Sequence, residues 1–149
     1  SLALVALSGT DRLGKKGGQG FYQYERGGKN NPDESIYGEL QIPVPAEPQK
    51  FSDQEVRARL VLQMINESAH ALQDGIVQRA DQVDLALIMG TGFPPFRGGL
   101  LRFADTLHPR SILYHIRKLE EVYGTRFTPA PLLIDLADRD RTFYQAFGA

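Results

Sequence analysis

The 149 residues include no cysteine, which excludes a disulfide framework, a thiol nucleophile and a cysteine-ligated zinc site. No apolar run approaches the 18 or more residues that span a bilayer. Charge of neither sign dominates: 17 Lys and Arg stand against 18 Asp and Glu, six of each in residues 1–50 and eleven against twelve in residues 51–149. With no basic domain or acidic tail, nucleic acid is not an expected partner. There are only three histidines, and none sits in an obvious Ser/His/Asp arrangement. No second copy of any segment is evident. The apolar opening, Leu2 to Leu7, lacks a basic flank and reads poorly as a signal peptide. The chain starts at Ser1 rather than Met, so a cut or processed chain is expected. A cytoplasmic, soluble domain without a membrane span is the expectation.

Hydrophobic residues make up 42% and charged residues 23%, the composition of a globular protein. Residues 1–10 predict a short helix with Leu2, Leu4, Val5 and Leu7 apolar. Next comes Arg12-Leu13-Gly14-Lys15-Lys16-Gly17-Gly18-Gln19-Gly20, whose glycines suit turns with positive φ, then Phe21-Tyr22-Gln23-Tyr24, which suits a short extended segment. Residues 27–50 hold Gly27, Gly28, Asn30, Asn31, Pro32, Pro43, Pro45 and Pro48 and read as a connecting strap, with a short helix around Asp33–Leu40.

From Ser52 onward the pattern is helical. Ser52-Asp53-Gln54-Glu55 reads as a capping box opening a helix to about Asp74. Its expected inner stripe is Val56, Leu60, Met64, Ala71 and Leu72, with Val61, Ile65 and Ser68 on the flank. A second helix is expected from Ala80 to Met89, ended by Gly90, and the segment 90–99 is expected to be a non-helical turn. A third helix covers Leu100–Leu107. A fourth starts at Pro109 and stops at Gly124, with Ile112, Ile116, Leu119 and Val122 inward. Leu132–Ala137 and Thr142–Phe147 complete an all-α compact helical unit of about 95 residues, preceded by a Gly/Pro-rich extended arm.

Few of these residues carry reactive chemistry. The glycine cluster matches neither G-x-G-x-x-G nor G-x-x-x-x-G-K-[ST], and no buried strand feeds it. A structural turn is the better account, leaving Lys15 and Lys16 as weak candidates for an anion contact. Glu67 and His70 share a helix face at the E-x-x-H spacing of di-metal bundles. A second such pair is missing, since no histidine follows Glu120 and Glu121, so no metal site is expected. Phe93-Pro94-Pro95-Phe96-Arg97 is the most informative segment: either it lines a groove or interface, or Phe93 and Phe96 clamp two helices together. Spacing alone favours the clamp. Arg97, Arg102 and Asp105 are candidates for an ion-pair cluster at this turn.

Taken in order, the Arg12–Tyr22 stretch, Met64-Ile65-Asn66-Glu67, Asp74-Gly75-Ile76-Val77, Ala80-Asp81-Gln82-Val83-Asp84 and Gly90–Gly99 with Arg102-Phe103-Ala104-Asp105 resemble the C-terminal region of the 3-hydroxyacyl-CoA dehydrogenase family, in its multifunctional fatty-acid oxidation form. The resemblance covers about residues 10–145. It implies a helical fold like the C-terminal domain of 6-phosphogluconate dehydrogenase, with residues 1–50 as the tail of a first helical unit plus the glycine-rich turn and strap, and residues 51–149 as the second unit. It also implies a larger parent that oxidises 3-hydroxyacyl-CoA with NAD in β-oxidation. The catalytic histidine and the dinucleotide fingerprint of such a parent lie in a Rossmann domain outside this sequence. A catalytic asparagine of the first unit falls on Ala58 here, and alanine neither donates nor accepts the needed hydrogen bond. The resemblance therefore carries no catalytic, cofactor-binding or metal residue onto this chain. It implies a structural, homodimerising role beside the Rossmann domain and first helical unit of the parent, whose substrate is an acyl-CoA. Two other readings stay open: a free-standing helical interaction module, and residual acyl-CoA binding through segment 90–99 with Lys15 or Lys16.

Overall fold

The computed structural model describes residues 2–25, 28, 30–47 and 50–148; Ser1, Gly27 and Pro48, counted above to the chain start and the strap, lie outside the described residues. Two compact units are present, residues 1–50 and residues 51–149. Each has its own organising contacts.

In the first unit, helix α1 spans Leu2–Ser8. Strand β1 (Tyr22–Gln23) pairs antiparallel with β2 (Asn31–Pro32), Tyr22 opposite Pro32. Helix α2 is a single turn, Ile36–Glu39. The expected strap is therefore partly folded, and its helix is shorter than residues 33–40. The reason is Asp33, which is buried and acts as a hub rather than a helical residue. Its carboxylate accepts from Arg12 Nη1 at 2.8 Å, Gln19 Nε2 at 2.6 Å, Ser35 Oγ at 2.7 Å and the Ser35 N–H at 3.1 Å. Arg12 Nη1 also donates to the Gly20 carbonyl at 3.0 Å, so Arg12 and Asp33 together close the glycine turn. That turn is structural.

Hydrogen bonds from Ser35, Gln19 and Arg12 hold the Asp33 carboxyl well below the usual carboxylate range. A depressed folded-state value stabilises the fold above the ordinary carboxylate pKa and loses that contribution as pH falls below about 4. The protection factors of the Gly14 and Tyr24 amides, corrected for intrinsic exchange, are expected to fall progressively below that pH. In Asp33→Asn those amides are expected to exchange faster at neutral pH, with the acid dependence gone. Unchanged protection of the parent down to pH 2 would contradict the hub role.

The second unit is built from α3 (Asp53–Gln73), α4 (Ala80–Thr91), α5 (Leu100–Leu107), α6 (Pro109–Tyr123), α7 (Pro131–Asp138) and α8 (Phe143–Phe147), with 3-10 turns at Pro95–Arg97 and Thr125–Phe127. The fold is all-α, its eight described helices accompanied by one two-residue strand pair. Ile65, Leu100, Leu101, Ile116, Leu133 and Phe143 are fully enclosed where α3, α5, α6, α7 and α8 meet. Each such side chain contributes roughly 1.5–3 kcal/mol of burial.

Four local expectations are corrected. The capping box at Ser52 is half formed: Ser52 Oγ accepts the Glu55 N–H at 3.1 Å, while Glu55 Oε1 accepts from the Tyr123 hydroxyl at 2.9 Å. Helix α4 runs through Gly90 and stops at Gly92, which supplies the left-handed φ of +72°. The buried face of α3 is Leu62, Ile65, Asn66, Ala69 and Leu72, whereas Val56 and Leu60 are exposed. Residues 60–62 and 64–65 are apolar without a break, so periodicity permits two stripes, and the polar Asn66 lies on the one that is buried. On α6, Leu113 takes the inward place and Val122 is exposed, being roughly 100° around the helix from the middle of the Ile112–Ile116 stripe.

Candidate functional site

Two arrangements in the second unit stand out. The first is a buried carboxylate. Asp84, on the inner face of α4, accepts the Leu101 N–H at 2.6 Å, the Arg102 N–H at 3.1 Å and the Tyr144 hydroxyl at 2.8 Å. The first two are unsatisfied donors of the α5 N-terminus, so Asp84 caps α5 from another helix and opposes its positive dipole end. Gly99 sits against the carboxylate with φ +113°. Burial, then the hydrogen bond to Asp84, pushes the Tyr144 hydroxyl up to about 12. Asp105 repeats the device on α8, accepting the Phe143 and Tyr144 N–H groups at 2.8 and 3.0 Å.

The second is an apolar groove of about 620 Å³ along α3 and α4. Val56, Leu60, Met64 and Ala71, the residues expected to face the core, line it, opposite Leu87 and Phe127. Its polar wall residues include Arg59, Gln63, Glu67 and Arg126. The Arg59 guanidinium lies 4.1 Å from the Tyr123 ring centroid. Gln63 Nε2 donates to Glu67 Oε1 at 2.9 Å, and Gln63 Oε1 is closed off without a partner among the described residues. Nothing in the sequence separated this face from the core. Its one hint was the mixture of Arg59, Gln63 and Glu67 with the apolar positions.

The structure scatters the candidates. Phe93 is half-buried against the core, while Pro94, Pro95, Phe96 and Arg97 are exposed. The Phe96 ring is 82% exposed and locks no helices together. Phe96→Ala is therefore expected to change the unfolding free energy by less than about 0.5 kcal/mol in urea titration, and a loss of several kcal/mol would restore the clamp. Among the described residues no ion-pair cluster forms at this turn: Asp105 serves α8, Arg102 stacks 3.5 Å from the Tyr144 ring centroid, and Arg97 lies over Phe96 and Phe103. Lys15 and Lys16 are exposed, and the Gly14, Gly17 and Gly20 N–H groups beside them are taken by the carbonyls of Gln19, Gly14 and Tyr22. Glu67 bonds Gln63 rather than His70, and among the described residues no three metal-ligating side chains cluster. His108 precedes α6 at φ +62°, and His115 packs edge-on to Tyr114. Ala58 is exposed on the first turns of α3.

The described residues thus define an all-α domain in which the buried Asp84 and the half-buried Asp105 cap neighbouring helices, and which carries an open apolar groove. Residues 56–145 match the model of the 3-hydroxyacyl-CoA dehydrogenase, C-terminal domain. The chain belongs to this family. It is 36% identical over 144 residues to the fatty acid oxidation complex subunit alpha of Shewanella loihica, covering 96% of this chain and 20% of that protein. Against the subunit of the same name from Shewanella amazonensis it is 39% identical over 144 residues, 95% of this chain and 20% of the relative. Against that of Vibrio vulnificus it is 38% identical over 133 residues, 89% and 18% respectively. The chain spans about a fifth of the length of these curated relatives. No helix among the described residues is long and apolar enough to cross a membrane.

Proposed function

We propose that this chain is the C-terminal helical part of a larger cytoplasmic, NAD-dependent 3-hydroxyacyl-CoA dehydrogenase of fatty-acid β-oxidation, and that its own job is structural and self-associating. Residues 51–149 form the second helical unit, and residues 1–50 hold the tail of the first with its turn and strap. The observation that carries this reading is the match of residues 56–145 to the C-terminal domain; the resemblance also sets Ala58 where the family has its catalytic asparagine. The residues present do not fit NAD: the Gly14, Gly17 and Gly20 N–H groups of the glycine turn are already taken by the Gln19, Gly14 and Tyr22 carbonyls, and the groove is lined chiefly by apolar side chains. A cofactor pyrophosphate needs free N–H groups at a helix N-terminus. Oxidation of a 3-hydroxyacyl-CoA followed by NADH absorbance is expected to show no turnover by the chain alone, and calorimetry no NAD binding. Turnover above the blank would overturn the structural role.

A free-standing interaction module is the second reading, favoured by the self-contained core of residues 51–149. The parent gene separates the two: a G-x-G-x-x-G after a strand, encoded upstream, belongs only to the dehydrogenase.

A further inference from the structure

We propose that a cavity in the first unit is a cation site that takes a methylated organic ammonium, its aromatic walls and the Glu34 carboxylate acting together. The β1–β2 pair, α2 and the strap build it, enclosing about 470 Å³. Tyr22 and Pro32 are directly opposed in the strand pair, so their side chains share a face, and both line the cavity. Tyr24 backs the Tyr22 ring edge-on, the centroids 6.4 Å apart. Tyr37 enters from α2, and its carbonyl accepts the Ile42 N–H at 3.0 Å, which returns the strap and brings Val44 and Pro45 to the same cavity.

The sign of the ligand follows from the charges present. Asp33 and Glu34 line the cavity, and among the described residues no Lys, Arg or His does. Asp33 is already matched by Arg12 at 2.8 Å. Glu34 has no ion-pair partner within 4.0 Å among the described residues. One unmatched negative charge therefore stands beside Phe21, Tyr22 and Tyr37, and aromatic faces attract a cation through their quadrupoles. A phosphate or carboxylate ligand would meet Glu34 with no cation to receive it. A purely apolar occupant would desolvate that carboxylate without pairing it. A primary ammonium brings three N–H donors into a cavity lined mainly by apolar surface, whereas N-methyl groups suit rings and prolines.

Choline and its neutral isostere 3,3-dimethylbutan-1-ol share a shape and differ in charge, so NMR titration of each into the full 149-residue chain tests this. Choline is expected to bind saturably with a millimolar Kd, shifting the Tyr22 and Tyr37 resonances, and the alcohol about tenfold more weakly or worse. Glu34→Gln and Tyr22→Leu are each expected to weaken choline about fivefold, while Tyr22→Phe keeps the ring and binds like the parent. Protection of the Gly14 and Tyr24 amides reports whether a variant keeps the first unit folded. Glu34 is exposed, so if Tyr22→Leu loses that protection, Glu34→Gln carries the test. Equal affinities for choline and the alcohol would make this an apolar pocket and overturn the cation site. A Glu34→Gln affinity equal to the parent's would place the ammonium elsewhere and overturn it as well. Tighter binding of n-butylammonium than of choline would assign the cavity to a primary amine, overturning the methylated class. No shift up to about 100 mM choline would remove the site altogether.

Discussion

Gly99→Ala is expected to destabilise residues 51–149 by about 4 kcal/mol, a large loss for a single methyl group. A Cβ at residue 99 would lie 2.2 Å from Asp84 Cγ and 2.6 Å from Asp84 Oδ2, and the backbone there has φ +113°, which L residues rarely adopt. The carboxylate cannot retreat without releasing the Leu101 and Arg102 N–H groups and the Tyr144 hydroxyl. Hydrogen bonds to a charged, buried acceptor are worth roughly 1.5–3 kcal/mol each, so losing even one adds a loss as large as the backbone strain itself. Gly124→Ala is the control. It has φ +80° and ψ −166° with nothing within 4 Å of the added carbon, so it isolates backbone strain alone, about 1–3 kcal/mol. Urea unfolding monitored by circular dichroism measures both, and equal losses would show that Asp84 is not the cause.

This carboxylate also shows how far the sequence could be read. Helix positions from Leu100 onward were legible because proline, glycine and capping residues mark them: Pro109 and Gly124 bracket α6, and Thr142 with Gln145 forms the capping box of α8. Gly98 and Gly99 were legible as part of a non-helical turn, but not what packs against it. Asp84 lies 17 residues from Leu101, and no local pattern says that a helical aspartate will cap a different helix. The inner face of α3 was misjudged for a related reason. Its apolar residues outnumber the places in the core, and burial was decided by tertiary partners of Asn66 that lie more than 60 residues away. The surplus stripe became the groove. Sequence periodicity finds apolar faces; it does not say which one faces the protein's own core.

Asn66→Ala is expected to cost about 3 kcal/mol. The amide is buried on α3 and bridges the segment leading into α7, Nδ2 donating to the Thr128 carbonyl at 2.9 Å and Oδ1 accepting the Ala130 N–H at 2.8 Å. Ala130 is fully enclosed, so truncation leaves its N–H buried without water or protein to receive it, and leaves the Thr128 carbonyl short of a donor. An unpaired buried group costs about 1–3 kcal/mol, and the side chain's volume adds a small cavity. Asn66→Asp separates these contributions, because it keeps the volume and the acceptor for Ala130 but sets a carboxylate against the Thr128 carbonyl. Burial raises the pKa of that carboxyl in the folded state, so its stability is greatest at low pH and declines as pH rises through the raised value. Below it the protonated carboxyl donates to Thr128 and the bridge is rebuilt. Unfolding free energies of the aspartate variant at pH 4 and pH 8 are thus expected to differ by about 2 kcal/mol relative to the parent, the acid side being more stable. An equal shift at both pH values would mean that the donor to Thr128 contributes little and that the fold is held at this point by the apolar packing of α7 alone.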